Sequence, residues 1–160
     1  MVMSSPDARV LSAARMRATL LVVALTISSS ASAAPLTLPT LGLALDAPAD
    51  AKIDANPHHD YVAVSAKTLQ LHVAKASDVA NTKLEDEVHS IKLTMQPTDL
   101  ASETLPDGFI IRYTTMMGDK KRYMLKGYRS IAGTGYSCDI GADTSAMIAS
   151  AAAACKSLRK

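Results

Sequence analysis

The sequence predicts an α+β fold: an antiparallel sheet of about six strands, with one mid-chain helix and one C-terminal helix packed on it and a single disulfide. Three observations carry this reading. Short stretches alternate apolar with polar residues between turn-forming ones, as strands with one buried face require. Two longer stretches change to a helical period. Cys138 and Cys155, the two cysteines of the 160 residues, fall on the apolar faces of the last predicted strand and the last predicted helix.

The chain opens on an export signal, residues 1–33. Arg9, Arg15 and Arg17 form a positive segment. Residues 18–27 are an apolar run, and a small-residue tail follows with an A-x-A site at Ala31-Ser32-Ala33. A run of that length is too short for roughly 30 Å of hydrocarbon, so cleavage near Ala33 is expected in place of anchoring. The apolar run directly follows Met16-Arg17, so either Met1 or Met16 could start translation. No cysteine lies near the cleavage site, which argues against a lipoprotein, and no twin-arginine pair precedes it, which points to the general secretory route. Periplasmic or extracellular residence is expected, with no integral membrane segment left after processing.

The body is then one secreted domain, residues 34–160. Its length supports a single modest core. The net charge of +2 resides in the leader, so the mature part is close to neutral. Acids crowd into residues 34–107 and bases into 108–160, a pattern that predicts opposite charges meeting across the folded surface. A neutral exported domain lacks the field that counterion release needs, so nucleic acid is excluded as a partner. In an oxidising compartment Cys138 and Cys155 have each other as intramolecular partner, and their spacing is far from the redox C-x-x-C pattern.

Element by element, residues 34–40 hold two prolines and read as an extended lead-in. Leucines 41, 43 and 45 alternate with small residues, as in a half-buried strand, and residues 46–50 read as a turn. A short strand at 52–55 precedes the Asn56-Pro57 break. Strands follow at 61–64 and 68–73; in the second, Leu69, Leu71 and Val73 share one face and Gln70 and His72 the other. The period changes after Ser77. Thr82-x-x-Glu85 has the form of a capping box. Leu84, Val88, Ile91 and Met95 make one stripe on a helix that Pro97 ends, and its early acids complement the helix dipole.

An antiparallel meander follows. Residues 99–105 and 109–113 flank a Pro106-Asp107-Gly108 turn. Gly118-Asp119 turns into a strand at 121–131, and residues 133–135 turn into one at 136–140. Asp143 or Thr144 caps an alanine-rich helix. Its Ile148, Ala151 or Ala152, Cys155 and Leu158 share a face, and Tyr136, Cys138 and Ile140 share a face of the preceding strand. A disulfide between them staples helix to sheet.

This order of elements resembles the small secreted domains of the PsbP-like and DcrB-like kind. Leu41-Gly-Leu-Ala-Leu-Asp-Ala-Pro48 is similar to their opening strand and proline turn. Residues 127–137 are similar to their late hairpin, and Ala154-Cys-Lys-Ser-Leu-Arg159 to their closing helix. The resemblance covers nearly all of the mature chain and brings no catalytic or ligand motif. It implies a non-enzymatic accessory or binding module.

Among residues suited to chemistry, His58-His59-Asp60 is the most suggestive cluster. Imidazole and carboxylate together suit zinc or copper. His72 and His89 could join them, and the Met116-Met117 pair offers soft thioethers, but gap-filling at a strand end is the role expected of that pair. In the basic strip from Lys120 to Arg129, Arg122 and Lys126 share a strand face with Met124 and Tyr128 and could receive an anion; Lys121 and Arg129 lie opposite. Tyr113, Tyr123, Tyr128 and Tyr136 are candidates for a binding face, with core packing expected for at least two. Residues 133–137 lack the third glycine and the Lys-Ser/Thr of a phosphate loop. No G-x-S-x-G elbow is present. The chain is therefore expected to be an exported, non-catalytic binding or accessory protein of the cell envelope, without a cofactor, whose partner is an envelope protein or a small ligand. The alternative is a periplasmic zinc- or copper-binding protein that uses His58, His59 and Asp60.

Overall fold

Alternation in the sequence becomes pairing largely where the turn residues place it. A computed structural model describes residues 33–54, 60–76 and 82–160. The fold is α+β. The strands are β1 (Ala33–Leu38), β2 (Leu43–Pro48), β3 (Lys52–Asp54), β4 (Tyr61–Ala66), β5 (Leu69–Lys75), β6 (Asp99–Leu105), β7 (Gly108–Met117), β8 (Lys120–Ile131) and β9 (Thr134–Ala142). The helices are α1 (Leu84–Met95) and α2 (Ser145–Lys156). One antiparallel sheet of seven strands, where about six were expected, runs β3-β4-β5-β9-β8-β7-β6. β1 and β2 form a separate antiparallel hairpin.

That hairpin corrects the reading of residues 34–40 as a lead-in. Pro35 and Pro39 hide the alternation of Leu36 and Leu38, yet Leu38 is fully buried and Leu36 packs against the core. The turn expected at 46–50 is also shorter, since β2 continues to Pro48 before Ala49 and Asp50 reverse the chain. The backbone of β2 meets the chain end, where Ala44 and Arg159 exchange both backbone hydrogen bonds.

The β1–β2 hairpin and α2 cover one face of the sheet. Val62, Val64, Leu69, Leu71, Val73, Leu125, Tyr136 and Cys138 point into this layer and are buried. Period two in the strands sends every second residue there. Thr144 caps α2 as expected, its Oγ1 accepting the Met147 N–H at 3.3 Å. Ile148, Ala151, Ala152, Cys155 and Leu158 face the sheet, and the Cys138–Cys155 disulfide is formed. Gly127 makes room for it: a Cβ there would stand 3.1 Å from Cys155 Sγ and 3.5 Å from Cys138 Cβ.

Arg129, in phase with Leu125 and Ile131, also faces this layer and is 7 % exposed. Its guanidinium forks onto Asp107 at 2.9 and 2.7 Å. Its Nη1 donates to the Cys155 and Lys156 carbonyls, each at 2.6 Å. Those carbonyls belong to the last turn of α2, whose acceptors lack intrahelical donors. Arg129 thus ties the β6–β7 turn to the end of the C-terminal helix.

The mid-chain helix α1 packs on the opposite face. Ile91 is buried among Phe109, Ile111 and Tyr113, with Leu84, Val88 and Leu100 beside them. The helix starts one residue later than the Thr82-x-x-Glu85 pattern implies. Lys83 holds the cap position and makes no side-chain cap bond, so the acids Glu85, Asp86 and Glu87 in the first turn are left to complement the dipole. Gln96 ends the helix in a left-handed conformation just before Pro97. Met95 is 45 % exposed, so the apolar stripe stops short of the last turn.

The uneven charge of the sequence resolves across the fold. Lys126 pairs with Glu87, Arg129 with Asp107, Lys156 with Glu103 and Arg159 with Asp46. Each pair joins a base from residues 108–160 to an acid from residues 34–107.

Candidate functional site: a cleft on the open sheet face

α1 shields the β7 side of its face and leaves the β5–β9–β8 side uncovered. The residues there are set by register. His72 stands opposite Asp139, Lys126 lies opposite Asp139 from the other side, and Tyr128 lies opposite Ser137. His72 and Asp139 are 67 residues apart in sequence and become neighbours only because β5 inserts beside β9. His72 Nδ1 and Asp139 Oδ1 are 3.8 Å apart. The ring of Tyr61 stacks on His72 with centroids 4.3 Å apart. His72, Asp139, Ser137, Lys126 and Tyr128 thus make one polar row across three neighbouring strands.

A cleft of about 400 Å³ opens over this row. Tyr113, Met124 and Tyr128 give it an apolar side, while His72, Lys126 and Asp139 give it a polar one. Ser137 and Gly141 keep its floor low. A Cβ on Gly141 would meet Met124 Sδ at 2.9 Å and push that side chain away. α1 contributes Glu87, which pairs with Lys126 and lies 3.5 Å from the Tyr128 hydroxyl. This mixture of apolar wall and convergent polar groups is the usual make-up of a small-ligand site.

Burial raises the pKa of Tyr113 and Tyr128 above the ordinary 10.0, with the nearby Lys126 charge pulling partly back. For Lys126, burial pulls the ammonium down. The Glu87 hydrogen bond and the attraction of Tyr128 and Glu87 outweigh it, so its pKa lies above 10.5. The signs agree. A phenol or an ammonium whose folded pKa is raised adds stability below its unfolded pKa and loses it as pH rises through the folded one. Stability is therefore expected to fall on raising the pH above about 10, the unfolded phenol value. Tyr113 and Tyr128 should titrate late when phenolate absorbance is followed against pH. Phenols that all ionise at the ordinary pH, with alkaline stability unchanged, would contradict this arrangement.

Arg122 and Lys126 do share the α1 face, but each is engaged: Arg122 with Asp143 and the Gly141 carbonyl, Lys126 with Glu87. An anion entering between them would have to compete with those carboxylates. His58 and His59 lie outside the described residues, and Asp60 is exposed. Among the described residues no three His, Cys, Asp or Glu side chains group as a metal site would need. His89 is exposed on α1, away from His72 in the cleft. Of the four tyrosines, Tyr136 and Tyr113 are buried and Tyr123 and Tyr128 half-buried; Tyr113 and Tyr128 line the cleft. Met116 and Met117 fill no gap, being 52 % and 63 % exposed. Ser137, Asp139 and Gly141 were not singled out from sequence, because only strand order makes them neighbours of His72 and Lys126.

No family model matches the chain, and no curated protein matches it.

Proposed function

We propose that the chain is exported, cleaved near Ala33, and acts outside the cytosol as a non-catalytic binding module of the cell envelope, holding a small ligand in the cleft beside α1. The observation that carries this reading is the cleft itself: an apolar wall of Tyr113, Met124 and Tyr128 facing Lys126, Asp139 and His72 across a floor of Ser137 and Gly141. The ligand that suits it is small, carries both hydrogen-bond donors and acceptors, and has one apolar edge. Export is supported by the leader composition and by a disulfide at the heart of the core, the form cysteines take in oxidising compartments. None of the described helices is long and apolar enough to cross a membrane. The resemblance to PsbP-like and DcrB-like domains points the same way.

Ser137→Trp raises the floor of the cleft without touching either core. With a metabolite extract of the envelope, wild-type protein is expected to melt roughly 10 °C higher if its ligand is present at about a hundredfold excess over Kd. The variant is expected to melt as wild type does alone and to gain nothing from the extract. An equal gain in both proteins would remove the cleft as the binding site.

A further inference from the structure

The end of the β7–β8 hairpin projects beyond the rest of the sheet. β6 begins at Asp99 opposite Thr114, and β9 ends at Ala142 opposite Tyr123. Beyond that line Thr115, Met116 and Met117 pair only with Arg122, Lys121 and Lys120. A two-stranded tip therefore stands clear, at about 3.4 Å per residue. Met116 and Met117 are consecutive on a strand, so their side chains leave opposite faces of it. Both are more than half exposed. Met95, 45 % exposed, ends α1 against the base of the same hairpin, where Thr115 Oγ1 donates to the Met95 carbonyl at 2.7 Å.

The charges of the tip are set apart from the network that neutralises the rest of the surface. Lys120 and Lys121 are exposed and form no ion pair among the described residues; Lys121 lies over the Tyr123 ring at 5.1 Å. Arg122 is neutralised by Asp143. Asp119 is the one carboxylate within residues 115–122. The tip thus combines apolar side chains on both faces with two free ammonium groups on long stems.

We infer that this hairpin tip docks the protein on an anionic lipid surface, with Met116 and Met117 entering the interface and Lys120 and Lys121 held at the level of the headgroups. The two-sided placement of the methionines selects this partner. A protein surface laid against the tip would cover one face and leave the other methionine in water, whereas immersion in the headgroup–acyl boundary removes both from water together. Lysines flanking an apolar insertion keep their charge at the phosphates while their stems stay in the apolar zone, and each adds attraction to anionic lipid that salt weakens. The cleft opens over the middle of the sheet, so docking through the tip leaves it accessible, and neither proposal depends on the other.

The test is sedimentation of the full protein, as purified from the envelope fraction, with phosphatidylcholine vesicles containing about one third phosphatidylglycerol and with phosphatidylcholine vesicles alone. Binding to the mixed vesicles is expected, with loss of most of it on raising the salt from about 0.1 to 0.5 M. K120Q/K121Q is expected to weaken partitioning about 30-fold, the effect of removing two juxtamembrane lysines. M116S/M117S is expected to weaken it by about tenfold or more, through loss of two partly buried apolar side chains. Both variants change exposed residues only, and an unchanged melting temperature checks that they fold. Failure of the wild type to sediment with mixed vesicles would overturn the inference, as would sedimentation that neither double variant reduces; the latter would assign membrane contact to another surface.

Discussion

Arg129→Met is expected to lower the unfolding free energy by about 3 kcal/mol or more, measured by urea denaturation, the cost typical of removing one partner of a buried ion pair. The size follows from what one guanidinium does. It is nearly sequestered, with its side chain 9 % exposed, and Asp107 is 33 % exposed, so the carboxylate left behind regains only part of its hydration. The Lys156 carbonyl loses its donor as well, and the Cys155 carbonyl keeps only the Leu158 N–H at 3.3 Å; buried acceptors without partners are costly. Arg129→Lys keeps the charge but cannot fork onto Asp107 while reaching both carbonyls, and an intermediate loss is expected. Asp107→Asn combined with Arg129→Met should be less harmful than the sum of the two, because the stranded carboxylate is gone. A loss below about 1 kcal/mol for Arg129→Met would show that the clasp is a surface pair, contrary to its burial.

The second large effect is expected from Cys138→Ala/Cys155→Ala. Loss of a native disulfide from a small domain typically costs about 2–5 kcal/mol, and both cysteines here are fully buried. α2 is also alanine-rich, and its sheet-facing alanines offer little apolar area each. The crosslink and Arg129 act on the same end of α2, at Cys155 and at the carbonyls of Cys155 and Lys156. Hydrogen exchange should therefore rise first in residues 150–158 when the disulfide is removed, before the β4–β5 amides respond. Uniform acceleration through the sheet, with α2 no faster than the rest, would contradict the idea that the C-terminal helix depends on these two ties.

Much of this architecture was legible in residue spacing. The meander was readable because Pro106-Asp107-Gly108, Gly118-Asp119 and Gly133 separate stretches of clean alternation. The disulfide was readable because Tyr136, Cys138 and Ile140 repeat every two residues, while Ile148, Ala152 and Cys155 repeat at helical spacing. Other features depend on partners that spacing does not name. β1 was obscured by Pro35 and Pro39, although Leu36 and Leu38 keep the period of a strand. Arg129 belonged by its basic character to an exposed strip, but its phase with Leu125 and Ile131 places it on the buried face. Phase is the better guide when an acceptor-rich helix end lies opposite. The cleft was invisible for a different reason. His72 reaches Asp139, and Asp139 reaches Lys126, only through the β5–β9–β8 order, which arises from long-range pairing.

The most direct test of the account is the intact mass of the protein recovered from the envelope of the cells that make it, taken with and without a thiol-alkylating reagent. The expected product is a chain that begins at Ala34, is lighter by two hydrogens than the reduced sequence, and gains no alkyl group until a reductant is added. A chain that retains the leader, or one whose Cys138 and Cys155 are alkylated without reduction, would contradict it.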